Sequence, residues 1–303
     1  MAADSNKKSD MPTFRSGYAA IFGRPNVGKS TFLNSVLGQK VSIVTPKPQT
    51  TRNRIIGIKT AHDCQIIFID TPGIHRPRHS LGALMVKRAK EAIRDADVIL
   101  LMVEAVPPTQ GELHIIKLLQ GVPVPVFLLI NKIDMVKKPS VLPVIEAYQG
   151  LYPFREIIPI SALKGDGIDI VLGKIAGLLP EGPKYYPDDL VTDQLERFMV
   201  SEIIREKIMK ATEEEIPHSA AVEIIGWEEK QNGVVLISAN IYVEKEGQKA
   251  IIIGKKGLRL KAVGSSARAD IERLLGAKVF LELWVKVKKL WRSNKAALTE
   301  LGF

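Results

Sequence analysis

Short apolar runs punctuate the first half of the chain at residues 18–22, 64–69, 98–103, 126–130 and 157–160. Each is bounded by polar or turn residues and is too short for a helix, the pattern of strands buried on both faces. An amphipathic stretch over 31–37 and another over 169–179 read as helices. Strands alternating with helices predict an α/β domain, a mostly parallel sheet with helices on both faces.

The pattern then changes. Residues 179–189 hold Pro180, Pro183 and Pro187 and no helical or strand period, so they read as a linker. Thr192 is placed to cap a helix with apolar positions Leu195, Phe198, Met199, Ile203 and Ile208, ending at the acidic residues 213–215 before Pro217. Residues 221–227 and 234–243 read as strands joined by an Asn232-Gly233 turn. An apolar segment leads into Gly254-Lys255-Lys256-Gly257, and a helix follows on the stripe Leu260, Val263, Ala267, Ile271 and Leu274, ended by Gly276. A last strand alternates over 279–287. This is an α+β domain of order α-β-β-α-α-β. The expected boundaries are a disordered tail 1–16, a first domain 17–181, a linker 182–190 and a second domain 191–303.

Charge sharpens this division. The chain carries a formal net charge of +10, which points to a polyanionic partner. Residues 251–292 hold eleven Lys/Arg against three acids, so the positive charge is concentrated around the GKKG loop. The lone cysteine, Cys64, excludes an internal disulfide framework and fits a reducing compartment. The five histidines never fall at metal-ligand spacing, so no metal cluster is expected. No run approaches the length needed to span a bilayer, and the start of the chain lacks the apolar core of a signal peptide.

The chemistry begins at Gly23-Arg24-Pro25-Asn26-Val27-Gly28-Lys29-Ser30, followed by Thr31. This GxxxxGKS spacing between a strand and a helix start aims successive backbone N–H groups at one place. Lys29 would reach the β/γ-phosphates and Ser30 would ligate Mg²⁺. The loop over 38–54 is broken by Pro46 and Pro48 and can supply a hydroxyl to the metal, Thr51 by preference and Thr50 as the alternative. Asp70-Thr71-Pro72-Gly73 stands at the carboxyl end of a strand, where ligands sit in open parallel sheets: Asp70 would hold the Mg²⁺ shell, and Gly73 would let a backbone N–H approach the γ-phosphate. Asn131-Lys132-Ile133-Asp134 follows another strand. Asp134 can accept two hydrogen bonds from guanine, a donor pair adenine lacks; Asn131 would read N7 or brace the loop, and the Lys132 stem can cover the ring. The backbone N–H groups of Ser161 and Ala162 are placed for the guanine O6, with a serine helix cap as the competing reading.

The GxxG loop, Ile253 through Gly257, has the form of the backbone clamp of KH domains, which grip about four nucleotides. Gly254 and Gly257 allow close approach. Lys255, Lys256, Arg259, Lys261, Arg268, Lys286, Lys288 and Lys289 supply charge for RNA. Trp284 and Trp291 could stack bases, with core packing expected for at least one.

GRPNVGKS, TTR, DTPG, NKID and SALK, in this order, resemble the motif set of the translation-factor-related GTPases. Followed by IIIGKKGLRLKAVG, they closely resemble the bacterial Era GTPases over residues 17–292. The resemblance implies a P-loop GTPase domain followed by a type II KH domain. It implies in-line attack of water on GTP to give GDP, with Lys29, Thr51 and Gly73 at the reacting phosphate. Ile74 stands where Ras-like GTPases carry a water-orienting glutamine, so turnover unaided should be slow, on the order of 10⁻³ s⁻¹ or below. Relatives with asparagine at the Asn26 position can use it to bind K⁺; the alternative is a brace for the loop. The resemblance further implies a cytoplasmic monomer binding 16S rRNA near its 3′ end during 30S subunit assembly, with peripheral contact at the inner face of the cell membrane.

Overall fold

The computed structural model describes residues 13–303 apart from 75, 76 and 78. The first half runs β1 (Arg15–Gly23), α1 (Lys29–Leu37), β2 (Ile55–Thr60), β3 (Cys64–Asp70), α2 (Ser80–Arg94), β4 (Val98–Glu104), α3 (Gln110–Leu119), β5 (Val126–Asn131), α4 (Val141–Gln149), β6 (Glu156–Pro159) and α5 (Ile168–Ala176). The sheet order is β2-β3-β1-β4-β5-β6, with β2 antiparallel to β3 and the other pairings parallel. The strands are apolar on both faces because both are covered. Phe32, Leu33 and Val36 of α1 and Val171 and Ile175 of α5 close one side. Ala89 and Ala92 of α2, Ile115 and Leu119 of α3 and Tyr148 of α4 close the other. A fully buried Leu or Phe in such a layer contributes roughly 1.5–3 kcal/mol.

Three details depart from the sequence reading. Arg15 and Ser16, assigned to the tail, belong to β1: Arg15 N–H donates to Asp63 O at 3.0 Å and its guanidinium reaches Leu179 O at 3.0 Å. Residues 1–12 of that tail lie outside the described residues. β2 was not anticipated. Its Gly57 is where a Cβ would come within 2.5 Å of the Leu33 side chain, so α1 packs directly on the strand.

The second half runs α6 (Glu196–Ala211), α7 (Ile216–Ser219), β7 (Ala221–Glu229), β8 (Val235–Val243), α8 (Glu246–Ile253), α9 (Leu258–Leu275), β9 (Val279–Val287) and α10 (Lys295–Glu300). Its sheet is β7-β8-β9, with β7 antiparallel and β9 parallel to β8. Val200, Ile204 and Ile208 of α6 and Val263, Ala267 and Ile271 of α9 bury against the sheet through Ile237, Ala239 and Ile241 of β8. The third departure is Thr192. It does not cap α6, whose N-cap is Leu195; its hydroxyl donates to Ile56 O at 2.6 Å and pins the chain to β2.

The segment between the halves is strapped down. Ser16 Oγ donates to Pro183 O at 2.6 Å. The fully buried Gln65 on β3 accepts from Tyr185 N–H and Tyr186 N–H at 2.8 and 3.0 Å and donates to Tyr186 O at 2.9 Å.

Candidate functional site

The turn from β1 into α1 is built on two glycines that no other residue could replace. At Gly23, φ +153°, a Cβ would stand 2.4 Å from Met102 O; at Gly28, φ +105°, it would stand 2.2 Å from the Asn131 amide. Lys29 folds back into this loop, donating to Arg24 O at 2.9 Å and Gly23 O at 3.3 Å. Pro25, Asn26, Gly28, Lys29, Ser30 and Thr31 line a cleft of about 460 Å³ with the 43–51 loop, Gly73, Glu104 and Lys132. Val27 turns inward into the core. The Arg24 side chain leaves the cleft: Nη1 donates to Glu112 Oε1 at 3.0 Å and Thr109 Oγ1 at 3.1 Å, bracing the capping box of α3. Its contribution to the loop is therefore its backbone.

Burial holds the Lys29 ammonium below its ordinary value, at about 8, against the pull of Asp70. Phosphate oxygens favour the charged form, so nucleotide binding above pH 8 takes up a proton. Affinity is expected to fall as pH rises above 8, approaching tenfold per pH unit. Calorimetry at pH 8.5 in two buffers of different ionisation enthalpy checks the proton uptake.

Ser30, Thr51 and Asp70 meet. Ser30 Oγ lies 2.9 Å from Thr51 Oγ1 and donates to Asp70 Oδ2 at 2.7 Å. The Thr50 hydroxyl is taken up within its own loop, donating to Lys47 O at 2.7 Å. Asp70 is fully buried, and burial pushes its carboxyl up while Lys29, Ser30, Ser42 and Thr51 oppose the shift. Its Oδ1 has no hydrogen-bond partner among the described residues. Two hydroxyls beside an anionic oxygen with spare acceptor capacity fit a hard divalent cation such as Mg²⁺. Ser42, which donates to Asp70 Oδ2 at 3.1 Å, was missed, since it belongs to no motif.

Thr71 and Gly73 act on the frame of the cleft. Thr71 Oγ1 donates to Ile21 O at 2.6 Å, and a Cβ at Gly73 would stand 2.7 Å from Pro25 N, so the segment after β3 packs on the phosphate loop. Pro72 and Ile74 are buried, and Ile74 N–H donates to Gly23 O at 3.2 Å. Asn26 Nδ2 donates to Pro46 O at 2.7 Å, the bracing arrangement.

At the base end, Asn131 is a brace: Nδ2 donates to Val27 O at 2.8 Å and Oδ1 accepts from Ala162 N–H at 2.9 Å. Ser161 N–H donates to Asp166 O at 3.0 Å. Both N–H groups expected to face guanine O6 are donated within the protein in this structure. Ser161 Oγ instead donates to Asp134 Oδ1 at 2.5 Å, holding the exposed carboxylate in place.

In the second half, the GKKG loop turns through positive φ at Gly254 (+72°), Lys256 (+51°) and Gly257 (+76°), and both lysines are exposed. Ile253 is half-buried beneath them. Lys261 and Arg268 stand on the exposed face of α9, lining a groove against Phe280 and Leu283 of β9, and Lys286 and Lys289 are exposed nearby. Two expected cations are engaged within the protein: Arg259, itself exposed, donates to Ile251 O, and the half-buried Lys288 pairs with Glu300 over the Tyr242 ring. Trp284 is 43% exposed, whereas Trp291 is fully buried as core.

The two halves meet through the loop that lines the cleft. Arg52, buried beside Thr51, donates to Ala220 O at 2.7 Å, His218 O at 3.0 Å and Pro217 O at 3.2 Å. Burial and the neighbouring Arg205 push its pKa down, with Glu202 opposing. Arg205 of α6 donates to Thr50 O, and Glu206 accepts from Val44 N–H at 3.1 Å and pairs with Lys40, which also reaches Asp270 of α9. Leu81 and Met85 of α2 pack with Trp291 and Leu298. Sequence reasoning met Arg52 only as the last residue of TTR and gave no role to it, Arg205 or Glu206, because the partners across the halves are distant in the chain and are mostly backbone groups.

Comparison with known proteins agrees with this architecture. The profile of the 50S ribosome-binding GTPase family matches residues 18–132, and that of the KH domain matches 215–292. The chain is 53% identical to GTPase Era of Geobacter metallireducens over 97% of its own length and 99% of the relative's. It is 48% identical to GTPase Era of Ruminiclostridium cellulolyticum over 96% and 98% of the two chains. A crystal structure of Era with MgGDPNP and nucleotides 1506–1542 of 16S ribosomal RNA superposes with TM-score 0.93 at 44% identity, covering 95% of this chain and 99% of that one. A point variant of Aquifex aeolicus Era bound to GDP·AlF₄⁻ superposes with TM-score 0.92 at 44% identity over the same shares. With a P-loop GTPase domain, a KH domain and this identity along nearly its whole length, the chain belongs to the Era GTPase family.

Proposed function

We propose that this GTPase binds 16S rRNA near its 3′ end through its KH domain during 30S subunit assembly, and that the nucleotide sets how the KH surface is presented. The observation that carries the coupling is the burial of Arg52, one residue from Thr51, against three backbone carbonyls of the KH half. A loop whose one end reports on phosphate and whose other end is clamped in the RNA-binding half gives the two nucleotide states different contacts, the condition for differential affinity. The Era complex with an rRNA 3′-end fragment and a GTP analogue supports the same partners here.

In this reading Gly23 to Thr31 cradle the phosphates, Lys29 stabilises charge on the β/γ oxygens, and Ser30, Thr51 and Asp70 hold Mg²⁺. Held there, Mg²⁺ would supply positive charge against the phosphate oxygens. Gly73 presents its N–H beside the γ-phosphate. Ile74 neither orients nor polarises water, which keeps turnover slow. Asp134, fixed by Ser161, selects guanine: Asp134→Asn would turn one of the two acceptors for N1–H and the 2-amino group into a donor, so GTP affinity is expected to fall about a hundredfold while XTP affinity rises. Competition binding with GTP and XTP measures it.

Asn26 acts as the loop brace, so equal turnover in KCl and NaCl is expected; a strict K⁺ requirement would return the ion to Asn26. The protein acts in the cytoplasm, and the exposed lysines also serve the peripheral membrane contact. Among the described residues no helix is long and apolar enough to cross a membrane. The test of the whole reading is binding of the full chain, in GDP and GTP-analogue forms, to an rRNA 3′-end oligonucleotide, a shuffled control and duplex RNA over a salt series. Preference for the single-stranded rRNA sequence that survives rising salt, and differs between nucleotide states, is expected. Equal, salt-labile binding to all three would reduce the basic surface to electrostatics.

A further inference from the structure

Glu104 is an acid in a cleft otherwise built for a polyanion. It is the last residue of β4, paired in register with Asn131 of β5, and it belongs to none of the nucleotide motifs. It lines the same cleft as Lys29 and Ser30. Its carboxylate pairs with the Lys132 ammonium, and both side chains remain partly open to solvent, 40% and 33%. Lys132 itself sits in a left-handed backbone conformation, φ +66°, between the braced Asn131 and the turn that carries Asp134. Such a backbone fixes where the side chain starts, but four rotatable bonds leave a lysine head free to wander unless something holds it.

We propose that Glu104 is a positioning residue for guanine-nucleotide retention, tethering the Lys132 ammonium so that the lysine stem is held as a cover over the purine face. The inference rests on the assignment of this cleft to a guanine nucleotide. The tether acts at the base and not at the γ-phosphate, so it serves GDP and GTP equally.

The test is release of a fluorescent GDP and a fluorescent GTP analogue from the full chain, comparing wild type, Glu104→Gln, Lys132→Met, which keeps the stem and removes the charge, and the double variant. Glu104→Gln and Lys132→Met are each expected to speed release three- to tenfold, by the same factor for both nucleotides, and the double variant is expected to be no faster than the single ones. In hydrolysis the loss should fall on KM, and Glu104→Asp should recover part of it. Wild-type release rates in Glu104→Gln, effects that multiply in the double variant, or a loss confined to kcat would each overturn the tether. A wild-type chain that retains no guanine nucleotide would instead remove the assignment of the cleft, a failure that the wild-type arm reports separately.

Discussion

Replacing Lys255 and Lys256 together by aspartate is expected to lower the affinity of the full chain for a single-stranded rRNA 3′-end oligonucleotide at least a hundredfold. The loop is set by Gly254 and Gly257, which stay, and Lys256 occupies a left-handed conformation that aspartate tolerates better than most residues. The fold of the loop should therefore survive while two cations become two anions where a phosphate backbone approaches most closely. Losing two phosphate contacts should also lower the slope of log affinity against log salt by about 1.4 for a single strand. GTP binding should be unchanged, because neither lysine lines the cleft. An affinity within threefold of wild type would place the RNA elsewhere.

Arg52→Ala is expected to uncouple the two halves. The substitution strips donors from the carbonyls of Pro217, His218 and Ala220 and opens a cavity beside Trp291, over whose ring the guanidinium lies 5.8 Å from the centroid. Bonds from a charged donor contribute about 1.5–3 kcal/mol each but are not additive, so a loss of about 3 kcal/mol in the contact between the halves is expected. The ratio of RNA affinities in the GTP-analogue and GDP states should collapse toward one, and thermal unfolding should split toward two transitions. Arg52→Lys should behave almost as badly, since one ammonium cannot span three carbonyls in a planar fork. A wild-type ratio in Arg52→Ala would show that the clamp carries no signal.

What the chain discloses about itself follows from range. The strands of the large sheet are legible because burial on both faces leaves unbroken apolar runs, and the cleft because its motifs are local, each a turn with its chemistry in consecutive residues. β2 is not legible: Gly57 interrupts its isoleucines, and that glycine is explained only by Leu33 and Leu37 of α1 pressing on it. Thr192 carries the chemistry of a helix cap, yet a carbonyl of β2 outcompetes the helix for its hydroxyl. In sequence Asn131 and Ala162 reach toward a ligand; in the fold they reach each other. The contacts between the halves leave least trace, because Arg52 and Arg205 bind carbonyls, and every residue has one.

The strap at Gln65 bears on how this protein can be divided. A GTPase fragment ending at residue 181 would leave a fully buried amide without the backbone groups of Tyr185 and Tyr186 that it bonds, and Ser16 without Pro183 O. The piece that keeps its own polar interior satisfied runs through Thr192, whose hydroxyl donates to Ile56 O at 2.6 Å, so the proline-rich stretch travels with the first half. Rotation of one half against the other is confined to the few residues between Thr192 and α6, because the Val191 carbonyl before them is already taken by Ile58 N–H at 2.8 Å.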